Sequence, residues 1–571
     1  MLYLLALLAT LVVGQQSPLP LAASEHRHAI SDYTLQAKPD LSDYVTEILS
    51  KGSIPGLALG VVYPNGTVEH GAWGVKTEDG VNTTTDAFLA SSIGILMDDF
   101  ANGRNATALP VGIRHFDWYT TITDLLPDDW KLLDEWAHSK ANIRDVLSHV
   151  SGLPRHDYTY KPGDSALDVV QRMRHLKPAF ELRQRWSYNN QASQHYMYIL
   201  VAHLIAKYSG ISYPEFVKAR IFDPLNMTSS TFSPSDAART AKLTQSWTRF
   251  RRLIPFWFSD EIAEMKAGPG GVISNVVDLT NWLQMLLNEG LVPGTNETII
   301  PRNVFDEMTT AHAVVSGRAP SPESSLAGYG LGWSVSSYKG HEIVSHSGGI
   351  PGFSTMISFL PSDGLGIVVL TNADEKYPYI LELARHIIDN TLGLSSSAAV
   401  ASPANPPASQ VTPIFSSTAQ NIDSLETFTG TYTDAGYGNL TLCAASSQSS
   451  HCQAVLDSFS PFEPDDKSSR LYAAFSSVWS SHIRLIHGHG DTWNITFTYL
   501  FPHGYGKDTS PFETFETGSS QGMVQFVTKG KSEMVGFGLF LVHEVTMRRR
   551  IGGTVEDIAD VWFRKVDSDT D

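Results

Sequence analysis

A tyrosine and an asparagine two residues apart, in Arg185-Trp186-Ser187-Tyr188-Asn189-Asn190-Gln191, stand immediately before a helical pattern, so Tyr188 and Asn190 can both face a cleft from one loop. A tyrosine with its ordinary pKa of about 10 is a poor base at neutral pH and needs a nearby cation to favour its phenolate. A second cluster, His346-Ser347-Gly348-Gly349, follows the strand-like Ile343-Val344-Ser345. The small residues Gly348 and Gly349 let backbone N–H groups approach a substrate carbonyl, and His346 can polarise the site or orient the tyrosine. Taken singly, each cluster has a plainer reading: a loop whose Asn caps a helix, and a glycine-rich turn with a solvated histidine. The third feature is Ser91-Ser92 in Phe88-Leu89-Ala90-Ser91-Ser92-Ile93-Gly94, which runs straight into apolar residues with no Lys within a helical turn. Ser91 is the best nucleophile candidate there.

Those groups need a scaffold, and the sequence outlines one. Leu57–Tyr63, the turn Pro64-Asn65-Gly66 and Thr67–Trp73 predict an antiparallel hairpin. Tyr196–Tyr208 and Val277–Leu287 carry apolar residues at helical spacing. Leu147–Pro154 reads as a helix end with a glycine C-cap and a proline stop. Strand patterns return at Tyr329–Val335, Ser354–Leu360 and Leu365–Leu370, and a helix from about Tyr377 to Leu392 closes the domain. Strands from both ends and helices between them predict an α+β domain, an antiparallel sheet flanked by helices with a helical subdomain and a cleft between the two. Residues 393–422, rich in Ser, Ala and Pro, read as a linker. Short alternating segments over 425–571 predict an all-β second domain.

The chain has 571 residues, too many for one ordinary core. Its 59 acidic against 41 basic residues give a net charge of −18, which argues against nucleic acid and against an anionic membrane as partners. Leu2–Val13 is apolar, too short to span a bilayer, and runs into small residues, so residues 1–14 read as a signal peptide. Seven sequons, at Asn65, Asn82, Asn105, Asn226, Asn296, Asn439 and Asn494, fit a secreted, extracellular glycoprotein. In an oxidising compartment the two cysteines, Cys443 and Cys452, form a disulfide more readily than a metal site, since two thiols leave zinc short of ligands. His487-Gly488-His489-Gly490-Asp491 reads as a β-turn rather than a metal pair, and Gly328-x-Gly330-x-Gly332 lacks the helix a dinucleotide site needs. Phe256-Trp257-Phe258 reads as a flap or core patch, with the lining of an acyl-substrate pocket as its functional alternative.

In order along the chain, Ile54-Pro55-Gly56-Leu57, Leu147-Ser148-His149-Val150-Ser151-Gly152-Leu153-Pro154, Tyr188-x-Asn190, Ala267-Gly268-Pro269-Gly270-Gly271 and His346-x-Gly348 resemble the class C β-lactamase and penicillin-binding-protein-like serine hydrolases over residues 40–392. Phe428-Thr429-Gly430-Thr431-Tyr432 resembles the start of the lipocalin-like domain that often follows. The resemblance implies a metal-independent hydrolase without a cofactor that acts on an ester, amide or peptide through an acyl-enzyme. It places a Ser-x-x-Lys motif at the start of a helix, with the Ser acylated, the Lys keeping the site cationic, the Tyr as general base and the His-x-Gly strand as far wall. Tyr188, Asn190, His346, Gly348 and Gly349 stand at those positions. Phe88–Ser91 fits the approach to the nucleophile and Ile93–Gly103 the end of the same helix, but about eight residues that should join them, the Lys included, are absent. A gap of that size removes about two turns at ~1.5 Å per residue and displaces the serine by on the order of 12 Å. Two expectations follow: either the gene encodes the missing residues, so that the full product is an active serine hydrolase and only this exact chain is inactive, or the chain is a non-catalytic binding glycoprotein that uses the retained cleft or the β domain.

Overall fold

A computed structural model describes residues 34–77, 88–154, 156–187, 195–395, 425–463, 469–514, 522–530, 533–541 and 553–566. The signal-peptide segment, nearly all of the linker, Asn82, Tyr188 and Asn190 lie outside them.

The first domain is built on eight strands: β1 (Gly56–Val62), β2 (Val68–Gly74), β3 (Ala313–Ser316), β4 (Ala327–Tyr329), β5 (Ser334–Tyr338), β6 (His341–Ile350), β7 (Phe353–Leu360) and β8 (Leu365–Thr371). They form one antiparallel sheet in the order β2-β1-β8-β7-β6-β5-β4-β3, so strands from the two ends of the domain meet at β1 and β8. Both of these are buried along their whole length, which requires an unbroken apolar run in place of alternation. Successive residues then serve opposite layers. Leu57, Leu59, Val61, Ile367 and Val369 pack under α1 (Pro39–Gly52) and the closing helix Tyr377–Leu392, while Ala58, Val62, Val368 and Leu370 face the helical half of the domain.

On that side lie α2 (Leu89–Ala101), α3 (His195–Ser209) and α4 (Val276–Leu287). Ten of the thirteen residues of α2 are buried, so this helix runs through the centre of the helical half, as an apolar surface on every side demands. Phe88 at its start packs against Phe222 and Trp282, and Asp99 near its end holds Arg104 and Arg220.

Two predicted elements are corrected, and one is decided between its two readings. Tyr329–Val335 is two strands, β4 and β5, because Gly332 takes a left-handed φ of 81° and the Gly330 N–H donates to Trp333 O across the turn. The segment His346–Gly349 is no turn: β6 continues to Ile350 and pairs His346 with Ile357 and Gly348 with Thr355. The helix Ile143–Leu147 is capped by Ser148, and the left-handed residue after it is His149, with Gly152 serving the next bend.

The second domain has strands β9 (Gly430–Asp434), β10 (Gly438–Leu442), β11 (Arg470–Ser477), β12 (Ser480–His489), β13 (Thr492–Phe501), β14 (Phe512–Thr514), β15 (Gly522–Lys529), β16 (Glu533–Phe540) and β17 (Val561–Lys565). They pair in the order β10-β9-β17-β16-β15-β13-β12-β11, with β14 on β13. Just past β10, Cys443 exchanges both backbone hydrogen bonds with Tyr472 of β11, at 2.8 and 2.9 Å, which brings the sheet nearly to closure. Cys443 is disulfide-bonded to Cys452 on the helix Ser450–Phe459. Phe428, Tyr432, Trp493, Phe526, Phe537 and Phe563 fill the interior at ring separations of about 5–6 Å, so among the described residues the barrel is packed with aromatics rather than hollow.

Candidate active site

The start of α2 forms one wall of a cleft of about 440 Å³, open to solvent. Phe88, Leu89 and Ala90 line it, opposite Ala267-Gly268-Pro269, Leu331-Gly332-Trp333 and His346, with Tyr198 of α3 across the base. Tyr198 is fixed there because its hydroxyl donates to Leu147 O at 3.0 Å and its ring stacks on His149. Gly332 faces Ala90 and Tyr198, so that an added Cβ would make ordinary contact with the Ala90 Cβ at 3.5 Å and the Tyr198 hydroxyl at 3.6 Å.

The nucleophile candidate is not on that wall. Ser91 and Ser92 are both 0% exposed and absent from the cleft lining. Ser92 Oγ donates to Phe88 O at 2.9 Å, a hydrogen bond within the helix, and Ser91 Oγ is enclosed without a hydrogen-bond partner among the described residues. The N-cap Phe88 and the first two helical residues, Leu89 and Ala90, all apolar, therefore face the cleft, and both hydroxyls turn into the core.

His346 does reach the cleft. On a strand, residues two apart share a face, so His346, Gly348 and Ile350 look the same way from β6. The ring is partly exposed but Nδ1 is enclosed, and burial pushes the imidazole down to about 4. It is neutral at physiological pH: it can donate or accept a hydrogen bond but brings no positive charge. Gly349 is exposed on the opposite face, with open space where a side chain would be.

Two residues with no motif of their own complete the surroundings. Lys266, directly before the glycine-rich segment, is 1% exposed, its Nζ 4.5 Å from the Tyr160 ring and 4.9 Å from the Trp479 ring. Trp479 comes from the second domain. It sits with Val478 at the tip of the β11–β12 hairpin, where the Val478 N–H donates to Tyr160 O and Trp257 Nε1–H donates to Val478 O. A valine and a tryptophan at a two-residue turn run against the usual Gly and Asn preference, and that mismatch was the available sequence signal. His487 and His489 lie at the end of β12, with His487 Nε2 hydrogen-bonded to Gly490 O at 2.8 Å. No group of His, Cys, Asp or Glu suited to a metal ion occurs among the described residues. No helix among them is long and apolar enough to cross a membrane. All six described sequon asparagines, Asn65, Asn105, Asn226, Asn296, Asn439 and Asn494, are exposed.

Comparison with known proteins agrees with this architecture. Residues 106–390 match the Beta-lactamase family. The first domain belongs to the β-lactamase and penicillin-binding-protein-like serine hydrolases. The unguisins hydrolase ungD' of Aspergillus campestris is 28% identical over 379 residues, covering 62% of this chain and 66% of that protein. The D-alanyl-D-alanine-carboxypeptidase/endopeptidase AmpH of Escherichia coli K12 is 25% identical over 240 residues, 40% of this chain and 57% of that one. The chain thus spans no more than about two thirds of either relative. An octameric penicillin-binding protein homologue from Pyrococcus abyssi aligns over 92% of this chain and 99% of its own, at 16% identity and a TM-score of 0.49.

Proposed function

We propose that this chain is a secreted, metal-independent serine hydrolase by descent whose cleft takes an ester, amide or peptide, and that the chain as it stands binds such a ligand without turning it over. The observation that carries this is the start of α2: the cleft is kept, but both serines are sealed in the core and no lysine follows within a turn. Acyl transfer needs a nucleophile within hydrogen-bond reach of its base, and misplacement alone forfeits several kcal/mol of barrier lowering. A neutral His346 does not replace the missing lysine's charge, so it gives no support to a phenolate at Tyr188. The relatives' names, a hydrolase of unguisins and a carboxypeptidase/endopeptidase, favour an amide or peptide ligand over a simple ester. The exposed sequons and the disulfide favour the extracellular route.

Mass spectrometry after incubation with a fluorophosphonate tests the inactive reading. No adduct is expected at Ser91 or Ser92, while peptide ligands raise the unfolding temperature. An adduct at Ser91 that disappears in Ser91→Ala overturns it. The intact remainder of α2 favours a second reading, in which the gene encodes the missing turns. Sequencing the transcript across the codons for Ser91 to Ile93 decides it, since recovery of a Ser-x-x-Lys there makes the full-length product an active enzyme.

A further inference from the structure

Beside the cleft, and sharing Val272 with it, is a second, partly open apolar cavity that neither the nucleophile nor the Tyr-x-Asn reading uses. Its lining is apolar throughout: Phe256, Phe258, Ile273, Ile350 and Phe353 supply the side chains, and Gly270-Gly271 the side toward the cleft. We propose that this cavity is a side-chain subsite that takes one aromatic or branched aliphatic residue of a peptide whose backbone lies along β6. The inference rests on the cleft being a peptide site and names which peptides it selects.

Strand geometry sets the distance. Ile350 lies two residues beyond Gly348 on the same face of β6, about 7 Å along the strand. That spacing equals one side-chain repeat of an extended peptide laid against the strand, so a residue neighbouring the bond at Gly348 drops its side chain into the cavity. The cavity is also preformed. Gly352 bends β6 into β7 with a φ of 92° and leaves no room for a side chain, since an added Cβ would stand 2.3 Å from the Ser246 Cβ. This bend turns Phe353 back onto Phe256, their ring centroids 5.8 Å apart. Phe256 and Phe258 flank Trp257, whose Nε1–H is anchored to Val478 O, and Phe258 meets Trp479 edge-on at 5.7 Å. The hairpin of the second domain thereby holds two phenylalanines in place from behind. A cavity without a lining charge cannot pay for burying an ionised side chain, so it selects against Asp and Lys as strongly as it selects for Phe and Leu.

The test is calorimetric binding of the full chain to four peptides, N-acetyl-Ala-X-Ala-amide with X as Phe, Leu, Ala or Asp. Phe and Leu are expected to bind roughly 10- to 200-fold more tightly than Asp, the range that filling one apolar pocket supports. Ala263→Leu places three more carbons into the cavity from the helix Asp260–Met265 and should abolish the preference for Phe and Leu over Asp. If that buried substitution prevents folding, Ile350→Glu at the partly exposed mouth gives the same loss. Equal binding of all four peptides, or a preference that survives both substitutions, overturns the subsite and leaves the peptide cleft standing. Binding of none sinks the cleft reading and the subsite with it.

Discussion

Ser91 and Ser92 share a side chain and sit one residue apart, yet the helix gives them different fates. Ser92 satisfies its hydroxyl on Phe88 O, whereas Ser91 Oγ is enclosed without a hydrogen-bond partner among the described residues. A buried hydroxyl without a partner costs on the order of 1–3 kcal/mol, so Ser91→Ala should be neutral or stabilise the fold by about 1 kcal/mol in urea unfolding. A clear loss of stability would mean that Oγ has a partner or reaches solvent. The sequence showed that the lysine is missing but not where the remaining serines point, because direction depends on where the helix starts, and no capping residue marks its first turn. Asp374 went unnoticed for a related reason: its surroundings come from distant parts of the chain. Its carboxyl accepts backbone N–H groups of Gly352 and Arg249, yet burial pushes it up to about 7. Unfolding returns it to about 4, so between those values the unfolded chain gives up a proton that the folded chain keeps, and stability falls as pH rises through the window. Asp374→Asn removes that slope: it should match the native chain near pH 4 and exceed it at pH 8 by at most roughly 4 kcal/mol. His346 acts in the opposite direction. Its folded-state value near 4 means that the unfolded chain alone takes up a proton below about 6.5, and stability falls as pH drops through that interval.

Elements whose residues repeat were legible in the sequence, and elements defined by a single bend were not. The hairpin of β1 and β2, helices α3 and α4, strands β7 and β8 and the helix Tyr377–Leu392 lie within a residue or two of their predicted limits, since apolar period and turn residues specify them locally. The split between β4 and β5 rests on one left-handed glycine in a sequence that otherwise reads as strand. The closure of the second domain was likewise hidden, because Cys443 and Tyr472 are far apart in the chain and only their backbones meet. That closure gives the disulfide a defined task. It ties the closing segment to the helix Ser450–Phe459, whose Phe459 packs on Tyr472 at 4.8 Å. Closing a loop of this length restrains the unfolded chain by about 2.5–3 kcal/mol. The double substitution Cys443→Ser, Cys452→Ser should lower stability by that order and speed amide exchange at Cys443 and Tyr472 before other barrel strands. Unchanged exchange there would show that the barrel holds its seam without the bond.

At the scale of the molecule, the linker composition suggests two units on a string, but the contacts describe one body. A single apolar cluster runs from Phe258 and Tyr158 in the first domain to Trp479 and Phe497 in the second, with Tyr158 and Phe497 stacked 3.8 Å apart. Polar contacts border it: His156 hydrogen-bonds Tyr437, Lys177 Nζ donates to Glu556 O, and Arg252 reaches Asp508 and Ser510. Burying Trp479 and Tyr158 from water contributes about 2–3 kcal/mol apiece to this junction, and neither domain recovers that gain alone. Calorimetry of the full chain should therefore show one unfolding transition. Trp479→Ala removes one of the two rings that stand over Lys266 and the ring behind Phe258, so the domains should lose their coupling and melt in two steps, with the first domain at the lower temperature because Lys266 and Phe258 lose that cover. A single transition shifted as a whole would mean that Tyr158 and the bordering hydrogen bonds suffice to hold the domains together. Two transitions in the native chain would place the junction outside the cooperative core. The expected outcome also bears on ligand binding: the second domain steadies Phe256–Phe258 from behind, so a chain ending at Gly393 should lose peptide selectivity even if its sheet and helices still form.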